Sequence, residues 1–482
     1  MSHVFTSVSP VDGETLWQGS SAGRQEIREC MERAARAADD WRSTTVEERV
    51  ELVRRFEAEL TIHRDEIADL ISREVGKLVW DAEGEVAASI AKIETSILAM
   101  EQRRSDVMVD AGKAVATPVQ RRIRFQPLGV TLVLGPFNFP LHLPGGQIIP
   151  ALLAGNAVVF KPSEQAMAVA QWMVDAWCRA GIPSDVLQLI PGAAEAAQLA
   201  IDSPEVSAVF LTGGREAGNA IHRQLAGRSE VLLALELGGN NPMVIMDSVN
   251  PAIAARLVSF SAFISAGQRC TCARRALFVS GAETEAQIEE LVTQTAQLRV
   301  GMPKDSPTPH IGPLVSGLAA SRLLETYECL MNLGCKPLIP LEVVAPFDAL
   351  VRPAVLDASG ISEEASAKIN QMEWFGPILI VQREPDFDSA VNSAASTPYG
   401  LSAALLGGTD AMFEQFVDRV GAGVVNWNSP TTGAAGTLPF GGLGASGNHR
   451  PAGYHAIDFC SDPVASLEQS TPAVGDPWDM AK

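Results

Sequence analysis

The chain is short of positive charge, of any ordered cysteine pattern and of any long apolar run, and each shortage closes a class of function. Lys and Arg number 37 against 57 Asp and Glu, a formal net charge of −20. That balance argues against nucleic acid or an anionic membrane as partner, while local arginines can still serve an anionic small molecule. The 7 cysteines stand at positions 30, 178, 270, 272, 329, 335 and 460. An odd, scattered set is no secreted disulfide framework, and a reducing cytoplasm is expected. No His or Cys cluster accompanies Cys270 and Cys272, so no metal is expected there. No apolar run approaches the roughly 18–20 residues of a membrane span. Met1 to Ser20 is polar and lacks the apolar core of a signal peptide. Internal repeats and low-complexity tracts are also missing.

What is present is apolar mass. Hydrophobic residues make up 46% and charged residues 20% of 482, enough for large buried cores in two or three domains. A helix is expected over 24–40. Another is expected over 45–75, opened by a capping box of Thr45 and Glu48 and ended by Gly76. From residue 129 short apolar strands alternate with helices. Strands are expected at 130–134, 158–160, 186–190, 206–211 and 231–235, with helices near 146–153, 164–180 and from 214 to about 226. This alternation implies a parallel sheet with helices on both faces. A second α/β region follows Glu236, with helices near 249–266, 282–298 and 314–333 and strands at 273–280, 377–383 and 423–427. Residues 429–447 read as long loops, 107–126 as a hairpin, and 455–482 as a partner strand with a tail.

Several segments carry chemistry. Cys270 lies in the turn Gly267-Gln268-Arg269-Cys270 after an expected helix. A positive neighbour such as Arg269 favours the thiolate, the reactive form. The bland alternative is a buried packing cysteine, and Cys272 keeps that reading. Glu236 follows an apolar strand and precedes Gly238-Gly239 at Leu235-Glu236-Leu237-Gly238-Gly239-Asn240-Asn241-Pro242. A carboxylate at the carboxyl end of a sheet strand faces the ligand cleft, where burial fits it to deprotonate water or thiol. Asn138, in the proline-bounded loop Gly135-Pro136-Phe137-Asn138-Phe139-Pro140, either satisfies a turn or donates its amide to an oxyanion together with the Cys270 N–H. Lys161, Ser163 and Glu164 follow a strand, where Ser163 or Glu164 can serve the start of the next helix. The run Gly213, Gly214, Arg215, Glu216, Ala217, Gly218 sits where a strand meets a helix, and its glycines let a helix N-terminus approach a phosphate closely. Gly442-Leu443-Gly444-Ala445-Ser446-Gly447 satisfies GxGxxG, but no strand–helix–strand unit follows it and it is rejected as a dinucleotide fingerprint.

The cysteine turn paired with the glutamate on its Gly-Gly turn resembles the active-site signatures of the aldehyde dehydrogenase superfamily. The other motifs follow in that family's order up to Pro439-Phe440-Gly441-Gly442. The resemblance implies an α/β fold: a Rossmann-like NAD-binding domain (1–106 and 127–235), an α/β catalytic domain (236–447), and a small β oligomerisation hairpin with the C-terminal segment (107–126 and 448–482). It implies a homodimer or homotetramer, Cys270 as nucleophile, Glu236 as base and Asn138 as oxyanion donor. Lys161, Ser163 and Glu164 then meet the adenosine ribose, where a carboxylate repels a 2′-phosphate and favours NAD over NADP. Residues 213–218 meet the pyrophosphate, with Gly214 where the family usually has serine. Glu373 would hold the nicotinamide ribose and Phe375 would pack near its ring.

Within the superfamily, Gln268–Arg275, Leu237–Pro242, Val425–Asn428 and Gly447–Pro451 are similar to the branch that oxidises N-succinylglutamate 5-semialdehyde in arginine catabolism. The family often has a bulky aromatic and a lysine lining its tunnel after the asparagine. Gly146 and Gln147 stand there in this chain, which should widen the tunnel, and the loop Ser429–Thr437 is small and hydroxyl-rich. A dicarboxylate aldehyde wants charge-assisted donors, for which Arg269, His142, Asn428, His449 and Arg450 are candidates. The competing readings are a hydrolysing dehydrogenase for another aldehyde such as succinate semialdehyde, a CoA-acylating relative that would not need Glu236, and a binding protein that keeps the fold without the chemistry.

Overall fold

A computed structural model of the chain describes residues 4–109 and 120–469. Two sheets organise it. Strands Val130–Leu134, Ala157–Lys161, Leu187–Leu189, Val206–Thr212 and Leu232–Glu236 (β1 to β5) form an all-parallel sheet in the order β3-β2-β1-β4-β5. β1 and β2 are buried at every position, as both-face coverage by helices requires. The strand order reverses between β1 and β4, and a crevice opens at their carboxyl ends, the place where open α/β sheets bind ligands.

The second sheet contains Asn241–Ile245, Ala273–Val279, Lys336–Ile339, Ala354–Asp357, Ile378–Glu384, Ser402–Leu406 and Val424–Trp427 (β6 to β12), in the order β8-β9-β10-β7-β6-β11-β12. Only β8 runs antiparallel to its neighbour. The chain passes from one sheet to the other in the few residues between Glu236 and Asn241. A third sheet is antiparallel: Gln120–Pro127 pairs with Val107–Val109 on one side and Ser461–Glu468 on the other. The expected hairpin and partner strand are therefore present in part; the hairpin's residues 110–119 and the tail 470–482 lie outside the described residues. Leu443–Gly444 pairs as a short strand with Tyr399–Gly400, so the GxGxxG run is a strand and turn rather than a phosphate loop.

Two departures from the sequence pattern matter. The expected helix over 45–75 is two helices, Val46–Ile62 and Arg64–Val75, broken at His63 (φ −104°, ψ 19°). Asp65 and Glu66 in the first turn favour a fresh N-terminus there, and His63 Nδ1 lies 2.9 Å from Glu66. The capping box of Thr45 and Glu48 forms, and Gly76 ends the second helix at φ 76°. The second departure is Val79–Arg103, a 25-residue helix where the sequence pattern suggested no element. Its Ala82, Val86, Ile93, Ile97 and Met100 face the core.

Glu85 on that helix fixes the element that floors the crevice. Its Oε2 accepts from Lys77 Nζ at 2.5 Å. Its Oε1 accepts from the backbone N–H groups of Leu141 (2.9 Å) and His142 (3.1 Å), at the start of helix His142–Leu153. A carboxylate at a helix N-terminus satisfies donors that the helix itself leaves open. The Lys77 and Glu85 side chains are only 5% and 0% exposed, so removing one partner strands the other charge. Glu85→Ala is expected to lower stability by about 3–5 kcal/mol, read as an earlier first transition in chemical denaturation.

Candidate active site

One cavity of about 1350 Å³ gathers most of the predicted site. Its wall includes Asn138, Glu236, Cys270, Lys161, Ser163, Glu164, Gly213, Gly214, Ala217, Glu373, Phe375, Arg269 and His142. Three side chains define its chemical end: the Cys270 thiol, the Glu236 carboxyl and the Asn138 amide.

Cys270 arrives on a strained loop. After helix Pro251–Phe263, Ser265 and Ala266 both take φ 54° and Gly267 takes φ 70°. Left-handed backbone at non-glycine residues costs of order 1–3 kcal/mol each and persists only where the surroundings dictate it. Here Asp81 accepts from Ser265 Oγ and from Arg269 Nη2, the latter at 2.7 Å. At Gly267 a Cβ would stand 2.4 Å from the Gly376 carbonyl carbon, so the position admits only glycine. Arg274, fully buried, donates to the carbonyls of Gly267, Arg269 and Gly376. Asn241 Nδ2 donates to the carbonyls of Cys270 (2.7 Å) and Cys272 (2.8 Å).

Arg269 is therefore occupied by Asp81 and Ser265, with its guanidinium over the Phe139 ring, rather than free to polarise the thiol. The thiol is pushed up to about 12, first by burial and then by the negative potential of Glu236; Arg274 is the cation that opposes this. The half-buried sulfur thus holds its proton in the resting protein and needs a base to take it.

Glu236 ends β5. Its Oε1 accepts from Ala452 N at 3.3 Å, while its buried Oε2 has no hydrogen-bond partner among the described residues. Burial raises its pKa well above the ordinary carboxyl value, countered by the Ala452 bond and by the ammonium of Lys92. A raised pKa makes the carboxylate a stronger base than an exposed one. Asn138 spends one amide hydrogen on the carbonyl of Gln268 at 2.9 Å. That bond orients the amide beside the cysteine loop and leaves its second hydrogen free.

The other end of the cavity lies at the carboxyl ends of β1, β2 and β4. Ser163 and Glu164 are not used to start the following helix. That helix, Met167–Ala180, is capped by Glu74, which accepts from Ala168 N (2.7 Å) and Val169 N (2.8 Å). Lys161 Nζ donates to Pro162 O at 2.7 Å. Helix Arg215–Gln224 begins after Gly214 with no side-chain cap, and Gly213, Gly214 and Ala217 line the cavity, so its N-terminus lies at the cavity wall. Arg215, Glu216 and Gly218 are off the wall. Arg215 lies over the Tyr399 ring, and Gly218 lets the helix pack onto Leu237, whose Cδ2 would stand 2.8 Å from an added Cβ. Glu373 presses against the turn after Glu236: its Oε1 accepts from Gly239 N at 3.1 Å and fills the place a Gly238 Cβ would take. The ring of Phe375 meets Phe137 edge-on at 5.8 Å.

The substrate-side expectations divide. His142 lines the cavity, but burial and the nearby Lys92 and Lys77 push it down to about 3, so it is a neutral imidazole and no charge-assisted donor. Asn428, His449 and Arg450 are exposed and absent from the wall; Asn428 instead accepts from Gly407 N at 2.7 Å. Gly146, Gln147, Thr432, Ala434, Ala435, Gly436 and Thr437 do line it. Sequence reasoning missed Asp81, Lys92, Asn241 and Arg274, although Asn241 and Arg274 stand inside the quoted motifs. No group of three or more His, Cys, Asp or Glu residues suited to a metal occurs among the described residues.

The aldehyde dehydrogenase family profile matches residues 1–464. The chain belongs to the aldehyde dehydrogenase family. It is 42% identical over 467 residues to the N-succinylglutamate 5-semialdehyde dehydrogenase of Chromohalobacter salexigens, covering 97% of this chain and 93% of the relative. It is 41% identical to the enzyme of the same name from Ectopseudomonas mendocina, over 96% and 93% of the two chains. Among solved structures it resembles an NAD-dependent aldehyde dehydrogenase from Sinorhizobium meliloti, with TM-score 0.89, 26% identity and coverage of 99% and 93%.

In this family member the Cys270 thiol and the Glu236 carboxyl are coupled electrostatically. Glu236→Gln removes the negative potential that raises the thiol. Alkylation of Cys270, followed by peptide mass spectrometry across pH, is expected to reach its midpoint at lower pH in Glu236→Gln than in wild type.

Proposed function

We propose that this aldehyde dehydrogenase oxidises N-succinyl-L-glutamate 5-semialdehyde to N-succinyl-L-glutamate with NAD, through a thiohemiacetal and a thioester on Cys270. The observation that carries the reading is the meeting of Cys270, Glu236 and Asn138 on one cavity that runs on to an uncovered helix N-terminus. The names of the 41–42% identical relatives give the substrate. The residues fit NAD: the open start of helix Arg215–Gln224 suits a pyrophosphate, and Glu164, released from helix capping, suits ribose hydroxyls and disfavours a 2′-phosphate. Glu373, tied to Gly239, suits the second ribose.

The chain's own groups then do the following. Glu236 accepts the Cys270 proton as sulfur bonds to the aldehyde carbon. The free Asn138 N–H and the Cys270 N–H donate to the oxygen as it becomes an oxyanion, each worth on the order of 3 kcal/mol in the transition state. NAD, when bound, supplies the hydride acceptor. With hydride gone, the carbon is a thioester of Cys270. Glu236 first gives the thiol proton up to solvent; its Oε2, without a partner among the described residues, then takes a proton from water as the hydroxide adds to the thioester, and sulfur leaves as the thiolate to release the carboxylate.

We further propose that the three-stranded sheet joins copies of the chain into a homodimer or homotetramer. Met108 (55% exposed) and Leu467 (75%) give this sheet apolar surface suited to burial against a second copy. Seven unpaired cysteines and the lack of a membrane-crossing helix among the described residues support a cytoplasmic enzyme.

NADH formation with N-succinylglutamate 5-semialdehyde tests the reading; no turnover of that aldehyde alongside brisk turnover of another would overturn the substrate. Cys270→Ala is expected to abolish NADH formation with every aldehyde. Glu236→Gln is expected to keep a single-turnover burst, slower than in wild type because the thiol must then lose its proton to solvent, while steady turnover falls about 10²–10⁴-fold. In wild type, steady turnover should rise with pH through an ionisation above the ordinary carboxyl range, since Glu236 must be unprotonated and burial raises its pKa; that limb should vanish in Glu236→Gln.

A further inference from the structure

We propose that the ammonium of Lys92 anchors a remote carboxylate of the aldehyde substrate. The inference rests on the anionic-substrate reading above and goes beyond it by naming the residue. Lys92 stands on helix Val79–Arg103, whose Gly84, Ala88, Ala91, Lys92 and Thr95 line the cavity. These positions share a helix face, and the small residues among them leave Lys92 as its protruding cation. Its stem lies over Gly146: a Cβ there would stand 3.8 Å from Lys92 Cε and 4.0 Å from Nζ. The missing side chain at Gly146 therefore leaves space beside a charged group. The loop that closes the cavity approaches the same helix face, since a Cβ at Gly436 would stand 3.8 Å from Thr95 Oγ1.

The other cations of the wall are committed or remote. Arg269 is bound to Asp81, Lys161 donates to Pro162 O, His142 is neutral, and Arg322 is exposed. Lys92 Nζ makes no hydrogen bond and no ion pair within 4.0 Å among the described residues. Its burial disfavours the charge, which only the field of Glu236 offsets. A partly desolvated ammonium without a counter-ion gains most from the arrival of a carboxylate, through a charge-assisted hydrogen bond. Lys77, by contrast, already has Glu85 as counter-ion at 2.5 Å, lies over the Phe139 ring and is off the cavity wall.

The test is Lys92→Met, which keeps the length of the stem and removes the charge, with Lys92→Arg to restore it. Wild type and variants are assayed with N-succinylglutamate 5-semialdehyde, succinate semialdehyde and neutral butanal. Binding of N-succinylglutamate is measured by calorimetry. For anionic aldehydes, kcat/KM is expected to fall roughly 10- to 100-fold in the Met variant, mostly through KM. Above the pH limb assigned to Glu236, where loss of the Lys92 ammonium no longer changes the charge of that carboxylate, butanal turnover should be nearly unchanged, which also reports an intact fold, and Lys92→Arg should recover much of the loss. Equal losses on anionic and neutral aldehydes, or no loss of N-succinylglutamate binding, would overturn the proposal. Should the Met variant not fold, Lys92→Gln carries the same comparison. If wild type ignores N-succinylglutamate 5-semialdehyde but prefers another anionic aldehyde, the proposed substrate fails while the Lys92 comparison is decided on that aldehyde.

Discussion

The active site depends on the amide of Asn241 holding the carbonyls of Cys270 and Cys272. Asn241 opens the first strand of the second sheet, five residues after Glu236, which ends the last strand of the first. One side chain therefore ties the Cys270 backbone to the crossover that also positions Glu236. Each bond is worth only about 1 kcal/mol net, but two buried carbonyls left without donors would cost more than that. The Asn241 Oδ1 accepts from Ser402 N, so the amide cannot rotate without losing a third partner.

Around this tie the protein spends backbone strain and buried charge to aim one sulfur. Three consecutive residues in left-handed conformation deliver Cys270, and Asp81 and Arg274 hold them there. The arginines at 274 and 275 are both fully buried, and their guanidinium groups bind backbone carbonyls and, for Arg275, Asn240. Buried guanidinium groups suit this role because a rigid fork of donors can satisfy several carbonyls at once. The consequence for the chemistry is a thiol that stays protonated at rest, beside a carboxyl that burial keeps ready to accept a proton.

Helix Val79–Arg103 carries much of the function from outside the recognisable motifs. Through Glu85 it caps the helix that floors the cavity, through Asp81 it secures the cysteine loop, and through Lys92 it brings a cation to the cavity wall. Its sequence mixes Ala, Glu and Lys among the core positions and suggested no element. Only the fold shows that one of its polar faces meets no solvent.

Much of the fold was legible because strand and helix periodicities are local. The alternation from 130 to 236, the capping box at Thr45, the stop at Gly76 and the pairing of the cysteine turn with the glutamate turn could all be read along the chain. The break at His63 was not, because the apolar spacing continues across it and only the local dihedrals end the first helix. The charge states were hidden too. Arg269 looked like a neighbour able to activate Cys270, and His142 like a cation for substrate. Asp81, 188 residues from Arg269, takes the first, and desolvation neutralises the second. Sequence by itself determined which residue types stand at the site, since motif spacing is covalent. Tertiary structure alone decided which of them are charged, paired or free, because burial and counter-ions come from segments far apart in the chain.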